Sequence, residues 1–148
     1  MSTAALERTT GGVEFLQRLI SAEVRLPIGE MLGFRLVEAE KGRVALVGRP
    51  DKRSYNLIGS VHGGWAATII DSALALSTLS TLDPDQTFTT IDLRVNYLRP
   101  LTEETGEVRC EGRVLQGGRR LVYAEASLTD ANGKLISHGT GSCLILAR

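Results

Sequence analysis

Gly59-Ser60-Val61-His62-Gly63-Gly64-Trp65-Ala66-Ala67-Thr68-Ile69-Ile70-Asp71-Ser72-Ala73-Leu74-Ala75-Leu76-Ser77-Thr78-Leu79-Ser80-Thr81-Leu82 is the stretch on which the fold turns. From Trp65 onward almost every residue is apolar or small, with no polar stripe, so the segment reads as a helix buried on all sides. Asp71 and several hydroxyl side chains make it too polar, and its length too marginal, for a membrane span. A helix without a wet face needs a surface that wraps it. The rest of the chain supplies one, because after this segment the hydrophobic period changes to two. Ile91, Leu93, Val95 and Tyr97 alternate with Asp92, Arg94 and Asn96. Val108, Cys110, Gly112 and Val114 alternate next, then Val122, Ala124, Ala126 and Leu128, with turns at 116–120 and at Asn132-Gly133 and a final strand over 135–146. Upstream, residues 31–39 and 43–48 read as a hairpin about Ala39-Glu40-Lys41-Gly42, and residues 13–24 as a short amphipathic helix stopped by Pro27. The pattern predicts an α+β fold in which a mainly antiparallel sheet wraps one long central helix.

Composition narrows the class. A chain of 148 residues without repeats or linker-like tracts predicts one domain over 1–148, with 43% hydrophobic and 23% charged residues as in ordinary globular proteins. Seventeen basic residues balance seventeen acidic ones, which removes the broad positive field expected of a nucleic-acid or anionic-membrane binder. Two cysteines, Cys110 and Cys143, and two histidines allow neither a disulfide framework nor a zinc-ligand spacing, so no metal and no cofactor is expected. Residues 1–10 carry Glu7 and Arg8 where a secretory signal would need an apolar run, which points to the cytoplasm.

The chemistry concentrates at the start of the long helix. Two adjacent glycines there, Gly63 and Gly64, are a poor helical choice, each costing up to about 1 kcal/mol relative to alanine. Two readings stand: a ligand approaches the bare first-turn amides, as at an oxyanion site, or the helix packs closely on the sheet. Asp71 is the single charge between Val61 and Thr81 and also has two readings, a working carboxylate or one that reaches solvent at a helix edge. Gly63 and Asp71 are eight positions apart, about 12 Å of helical rise, so one helix cannot present both to a single carbon. In a two-fold dimer with antiparallel helices crossing near Ala67, Gly63 of one copy lies beside Asp71 of the other.

The ordered set Asn56, Gly59, His62-Gly63-Gly64, Asp71 and Thr90-Ile91-Asp92-Leu93-Arg94-Val95-Asn96-Tyr97-Leu98-Arg99-Pro100 resembles the hotdog-fold acyl-CoA thioesterases of the phenylacetate-pathway, PaaI-like type. The likeness runs from about Met31 onward. It implies a hotdog fold, edge-to-edge homodimers that in many members form homotetramers, and hydrolysis of an aryl- or fatty-acyl-CoA to free acid and CoA. By the resemblance, the Gly63 amide holds the oxyanion and Asp71 of the partner subunit acts as general base or nucleophile. Thr90 supplies a hydroxyl that helps hold the water, while Asn56 and His62 line the thioester and fix the loop. CoA would run along 97–102 and 116–121, with Gly64, Arg99, Pro100, Gly118 and Arg119 as binding residues and Arg94 and Arg120 as weaker candidates. Without a phosphate-cradling glycine loop, arginines and turn amides must hold the phosphates. Alternative readings are a non-catalytic acyl-CoA sensor, or a hotdog dehydratase or hydratase, although neither His-Phe-Pro-Gly nor Asp-x-Asn-Pro-x-His is present.

Overall fold

A computed structural model describes residues 7–148, so residues 1–6 of the expected signal-free start lie outside the described part. Nine α-helices and strands follow in order among the described residues: α1 (Gly12–Ser21), α2 (Pro27–Leu32), β1 (Phe34–Glu40), β2 (Arg43–Gly48), α3 (Gly63–Leu79), β3 (Gln86–Tyr97), β4 (Val108–Gly117), β5 (Leu121–Thr129) and β6 (Leu135–Ala147). The six strands form one antiparallel sheet ordered β1-β2-β4-β5-β6-β3, and α3 packs against strands across its width. This is the hotdog architecture expected from the sequence.

α3 is held by burial on the concave face. Trp65, Ile69, Ile70, Ala73 and Leu74 are buried, each large aliphatic among them contributing about 1.5–3 kcal/mol over its exposed state. A row of glycines lets the helix approach the sheet. A Cβ at Gly112 would fall 2.2 Å from the Ala73 carbonyl oxygen, one at Gly139 2.5 Å from Ile70 Cγ2, and one at Gly141 3.0 Å from Leu74 Cδ1. Trp65 closes the other end, its indole N–H donating to the Leu32 carbonyl at 2.8 Å.

Three boundaries differ from the sequence reading. The first helix ends at Ser21, and Glu23 takes a positive φ of 52°. Pro27 then starts a helix instead of stopping one, sitting at the first-turn position where its missing N–H costs nothing. That helix occupies 27–32, so β1 begins at Phe34 and not at 31; Gly33, at φ 76°, makes the break. A fourth difference is topological. Consecutive strands are not all neighbours, because β3 pairs with β6 and the chain then crosses to β4, leaving β3 at an edge. A bulge between Thr90 and Asp92 interrupts the alternation, and Ile91, Leu93 and Tyr97 remain exposed although they carry the apolar half of the pattern.

Candidate active site

The site begins with the loop that delivers the chain to α3. Asn56 organises it: its Oδ1 accepts from the Ile58 and Ser60 amides at 3.0 and 3.1 Å, and its Nδ2 donates to Ser60 Oγ at 3.0 Å. These bonds tie the carboxamide into the loop and fix the loop beside the cleft, leaving one Nδ2 hydrogen unused among the described residues. The loop is then tied down by the His62 amide on the Ser54 carbonyl at 2.7 Å and the Val61 amide on the Leu101 carbonyl at 2.8 Å.

His62 is the N-cap of α3. Its Nδ1 accepts from the Gly64 amide at 2.8 Å, and its carbonyl accepts from the Trp65 amide at 2.9 Å. The Gly64 amide is thus engaged within the helix cap. The Gly63 N–H makes no hydrogen bond among the described residues. At the positive end of a helix of 17 residues, it is the open donor of the first turn.

Tyr97 accounts for glycine at position 63. Its hydroxyl donates to the Gly63 carbonyl at 3.0 Å, and a Cβ at Gly63 would stand 3.1 Å from the ring. Close packing is therefore one reason for glycine at 63, and the Gly63 amide is left without a partner among the described residues. The cleft beside it, about 310 Å³, is lined by His62, Gly63, Ala66, Tyr97, Arg99, Pro100 and Ser137 among others. Within it, Arg99 Nη1 is held on the Leu135 carbonyl at 2.6 Å.

Asp71 lies further along α3, half-buried, and accepts a hydrogen bond from Thr90 Oγ1 at 3.0 Å. Thr90 thus orients the carboxylate of its own chain. Cys143 Sγ is 4.0 Å from the same hydroxyl, and burial pushes that thiol above its ordinary range, with the nearby Asp71 charge adding to the effect. It is accordingly held as a neutral thiol and is a poor nucleophile. Asp71 and the Gly63 amide remain separated by about 12 Å of helix. Gly118 and Arg119 are more distant still: they border a hollow with Thr81, Leu82 and Gln86, beyond the C-terminal end of α3. One chain therefore brings together His62, Gly63, Arg99 and Pro100, and separately Asp71 and Thr90, while Gly118 and Arg119 stand apart.

The model of the thioesterase superfamily matches residues 58–137, spanning the loop, α3 and the strands that carry these groups. The chain belongs to the thioesterase superfamily. A Saccharolobus solfataricus protein, the putative esterase SSO2140, is 36% identical to this thioesterase over 121 residues, 80% of this chain and 83% of that one. Human acyl-coenzyme A thioesterase 13 is 31% identical over 106 residues, 70% of this chain and 74% of that one. Among solved structures, a point mutant of the phenylacetic acid degradation protein PaaI from Thermus thermophilus superposes with a TM-score of 0.73 at 25% identity, covering 80% of this chain and 98% of that one. The thioesterase is thus a thioester hydrolase with the PaaI-like resemblance anticipated from its motifs. No helix among its described residues is long and apolar enough to cross a membrane. Two features of the site are not readable from the sequence, the Tyr97 clamp on Gly63 and Ser137 in the floor of the cleft. The local signal for both is only an ordinary strand alternation.

Proposed function

We propose that the enzyme hydrolyses acyl-CoA thioesters at two equivalent sites, each built from both subunits of a homodimer. The observation that carries this reading is the unpaired Gly63 amide in the cleft, with the Thr90-oriented Asp71 carboxylate about 12 Å along the same helix. An antiparallel pair of α3 helices brings the amide of one copy to the carboxylate of the other. The edge strand β3 favours such pairing, since an exposed apolar edge with free backbone groups is a template for a second strand.

In this mechanism the thioester carbonyl oxygen accepts from Gly63 N–H, which is most strongly engaged as negative charge develops there. Asp71 of the partner subunit takes a proton from water, whose oxygen bonds to the carbonyl carbon. The tetrahedral intermediate then collapses, the C–S bond breaks, and the proton passes to the departing sulfur, giving acid and CoA. The Thr90 hydrogen bond leaves the other carboxylate oxygen, Oδ2, without a partner among the described residues, open to direct a water in the general-base role. Arg99 beside the start of one α3 and the partner's Arg119 beyond the end of the antiparallel α3 fall at the same end of the helix pair and would flank the CoA phosphates. The acyl-CoA class is supported by the resemblance to the human thioesterase.

Free-thiol release from a panel of acyl-CoAs tests the activity. Asp71→Ala is expected to lose at least about 10³-fold in kcat while keeping fold and dimer. Tight acyl-CoA binding without thiol release by the wild type would instead mark a sensor. Mixing inactive Gly63→Pro and Asp71→Ala proteins should restore one working site per heterodimer. No recovery after demonstrated subunit exchange would refute the shared site.

A further inference from the structure

Four buried side-chain polar atoms among the described residues lack a hydrogen-bond partner: Arg8 Nη1, Thr10 Oγ1, Thr78 Oγ1 and Ser137 Oγ. Of these residues, Ser137 alone lines the cleft at the start of α3. It is 1% exposed, and its surroundings offer it nothing. Across the strands it is paired with Tyr97 and Leu128; the Tyr97 hydroxyl is already given to Gly63, and Leu128 is apolar. The helix residue bordering the same cleft beside Gly63 is Ala66. An unpartnered buried hydroxyl is less favourable than a methyl group of the same size, so alanine would be the better residue for packing alone.

Tyr97 gives the depth at which this hydroxyl sits. Its backbone is in register with Ser137 on the floor, and its ring rises to place the phenol on Gly63 at the rim. The Gly63 backbone that the phenol touches is therefore about a tyrosine side chain above Ser137, across the same cleft.

We infer that Ser137 is a specificity-determining residue that contacts substrate, its hydroxyl hydrogen-bonding an oxygen on the acyl group a few bonds beyond the thioester carbonyl. This rests on the thioesterase reading above and adds a substrate class to it: acyl chains bearing a hydroxyl or keto oxygen, preferred over their plain hydrocarbon counterparts. The hydroxyl is unpaired in the free protein and stays so with a plain chain, so only an oxygenated chain gains the hydrogen bond, and that gain discriminates.

The test compares hexanoyl-CoA with 3-hydroxyhexanoyl-CoA and 5-hydroxyhexanoyl-CoA, in wild type and Ser137→Ala. The wild type should favour at least one hydroxylated substrate by about five- to tenfold in kcat/KM, the worth of one hydroxyl hydrogen bond. Ser137→Ala should lose that preference by slowing on the hydroxylated substrate and not on hexanoyl-CoA. The apo variant should melt at the same temperature as wild type or higher. Equal loss on all substrates, an unchanged preference, or a lowered melting temperature would overturn the inference, the last by showing that the hydroxyl has a partner within the protein. Titration with non-hydrolysable ketone analogues, carrying CH2 in place of sulfur, separates this failure from that of the thioesterase reading. If no thioester is cleaved, the mechanism falls, yet the analogues still report the contact; equal affinity for plain and hydroxylated analogues overturns it.

Discussion

Gly63→Ala tests the geometry of the site most directly. The added methyl carbon would stand 3.1 Å from Tyr97 Cζ and 3.2 Å from both Cε1 and the hydroxyl oxygen. Comfortable contacts begin near about 3.5 Å, so ring and helix start must separate by roughly 0.5 Å. Tyr97 lies at the exposed end of an edge strand and can give, at the expense of its 3.0 Å bond to the Gly63 carbonyl. For stability the terms nearly cancel: alanine gains up to about 1 kcal/mol in helix propensity, and the strained hydrogen bond gives back about 0.5–1.5 kcal/mol. The expected change is within about 1 kcal/mol by urea denaturation. Activity behaves otherwise, because an amide displaced by about half an ångström is misaimed at the developing oxyanion. With about 10² lost per ångström of misplacement, the variant should drop about tenfold in kcat for thiol release. A double-mutant cycle isolates the cause. In a Tyr97→Ala background the methyl meets no ring, so Gly63→Ala should cost less than about threefold. The same tenfold cost in both backgrounds, or full activity in Gly63→Ala alone, would refute the clamp.

Other perturbations address packing, charge and assembly. Gly112→Ala places a methyl 2.2 Å from a backbone oxygen of α3, which cannot yield without lifting the helix, so a loss of about 3 kcal/mol or more is expected in denaturant titration. Glu125 is bonded to His138 at 2.9 Å and accepts from Arg113 at 2.6 Å, and these bonds hold its carboxyl below the ordinary glutamate value. Its contribution is therefore complete above the unfolded-state value and is lost as pH falls through the lowered folded value. Thermal melts of Glu125→Gln should lie below wild type at neutral pH and converge with it in acid; parallel curves would count against the pair. Leu93→Lys, on the exposed edge strand, should yield monomers in sedimentation velocity and abolish thiol release together; an active monomer would exclude the shared site.

The elements legible in the sequence were those that carry their own period. α3 declared itself through an unbroken apolar run, and β4 to β6 through alternation, because each is decided by contacts along one face. The pairing of β3 with β6 was not legible, since register between distant strands is settled by the whole sheet and leaves no local mark. Pro27 misled for a related reason: it breaks a helix that precedes it and suits one that follows. In the site, Gly63, Asp71 and Thr90 stood out as residues that cost stability or charge where they sit, or that share a motif with those that do. The bond that takes the Gly64 amide to His62 has no mark in the sequence, and Tyr97 and Ser137 look there like any strand residues. What distinguishes them is a hydroxyl spent in one case and unspent in the other, which only three-dimensional neighbours decide.

The place of β6 between β5 and β3 has a consequence for how the protein matures. During synthesis, β3 and the apolar α3 leave the ribosome well before the one strand that β3 pairs with inside its own chain. Until β6 arrives, the concave surface is incomplete and an unsatisfied strand edge coexists with uncovered aliphatic side chains, the combination that invites misassociation. The sheet is closed by sequence-distant pairings, which slow folding relative to hairpin-by-hairpin assembly. Truncation within β6 should therefore be far more damaging than truncation of equal length before α1, and newly made chains should depend on chaperones that shield α3 until the final strand slots into place.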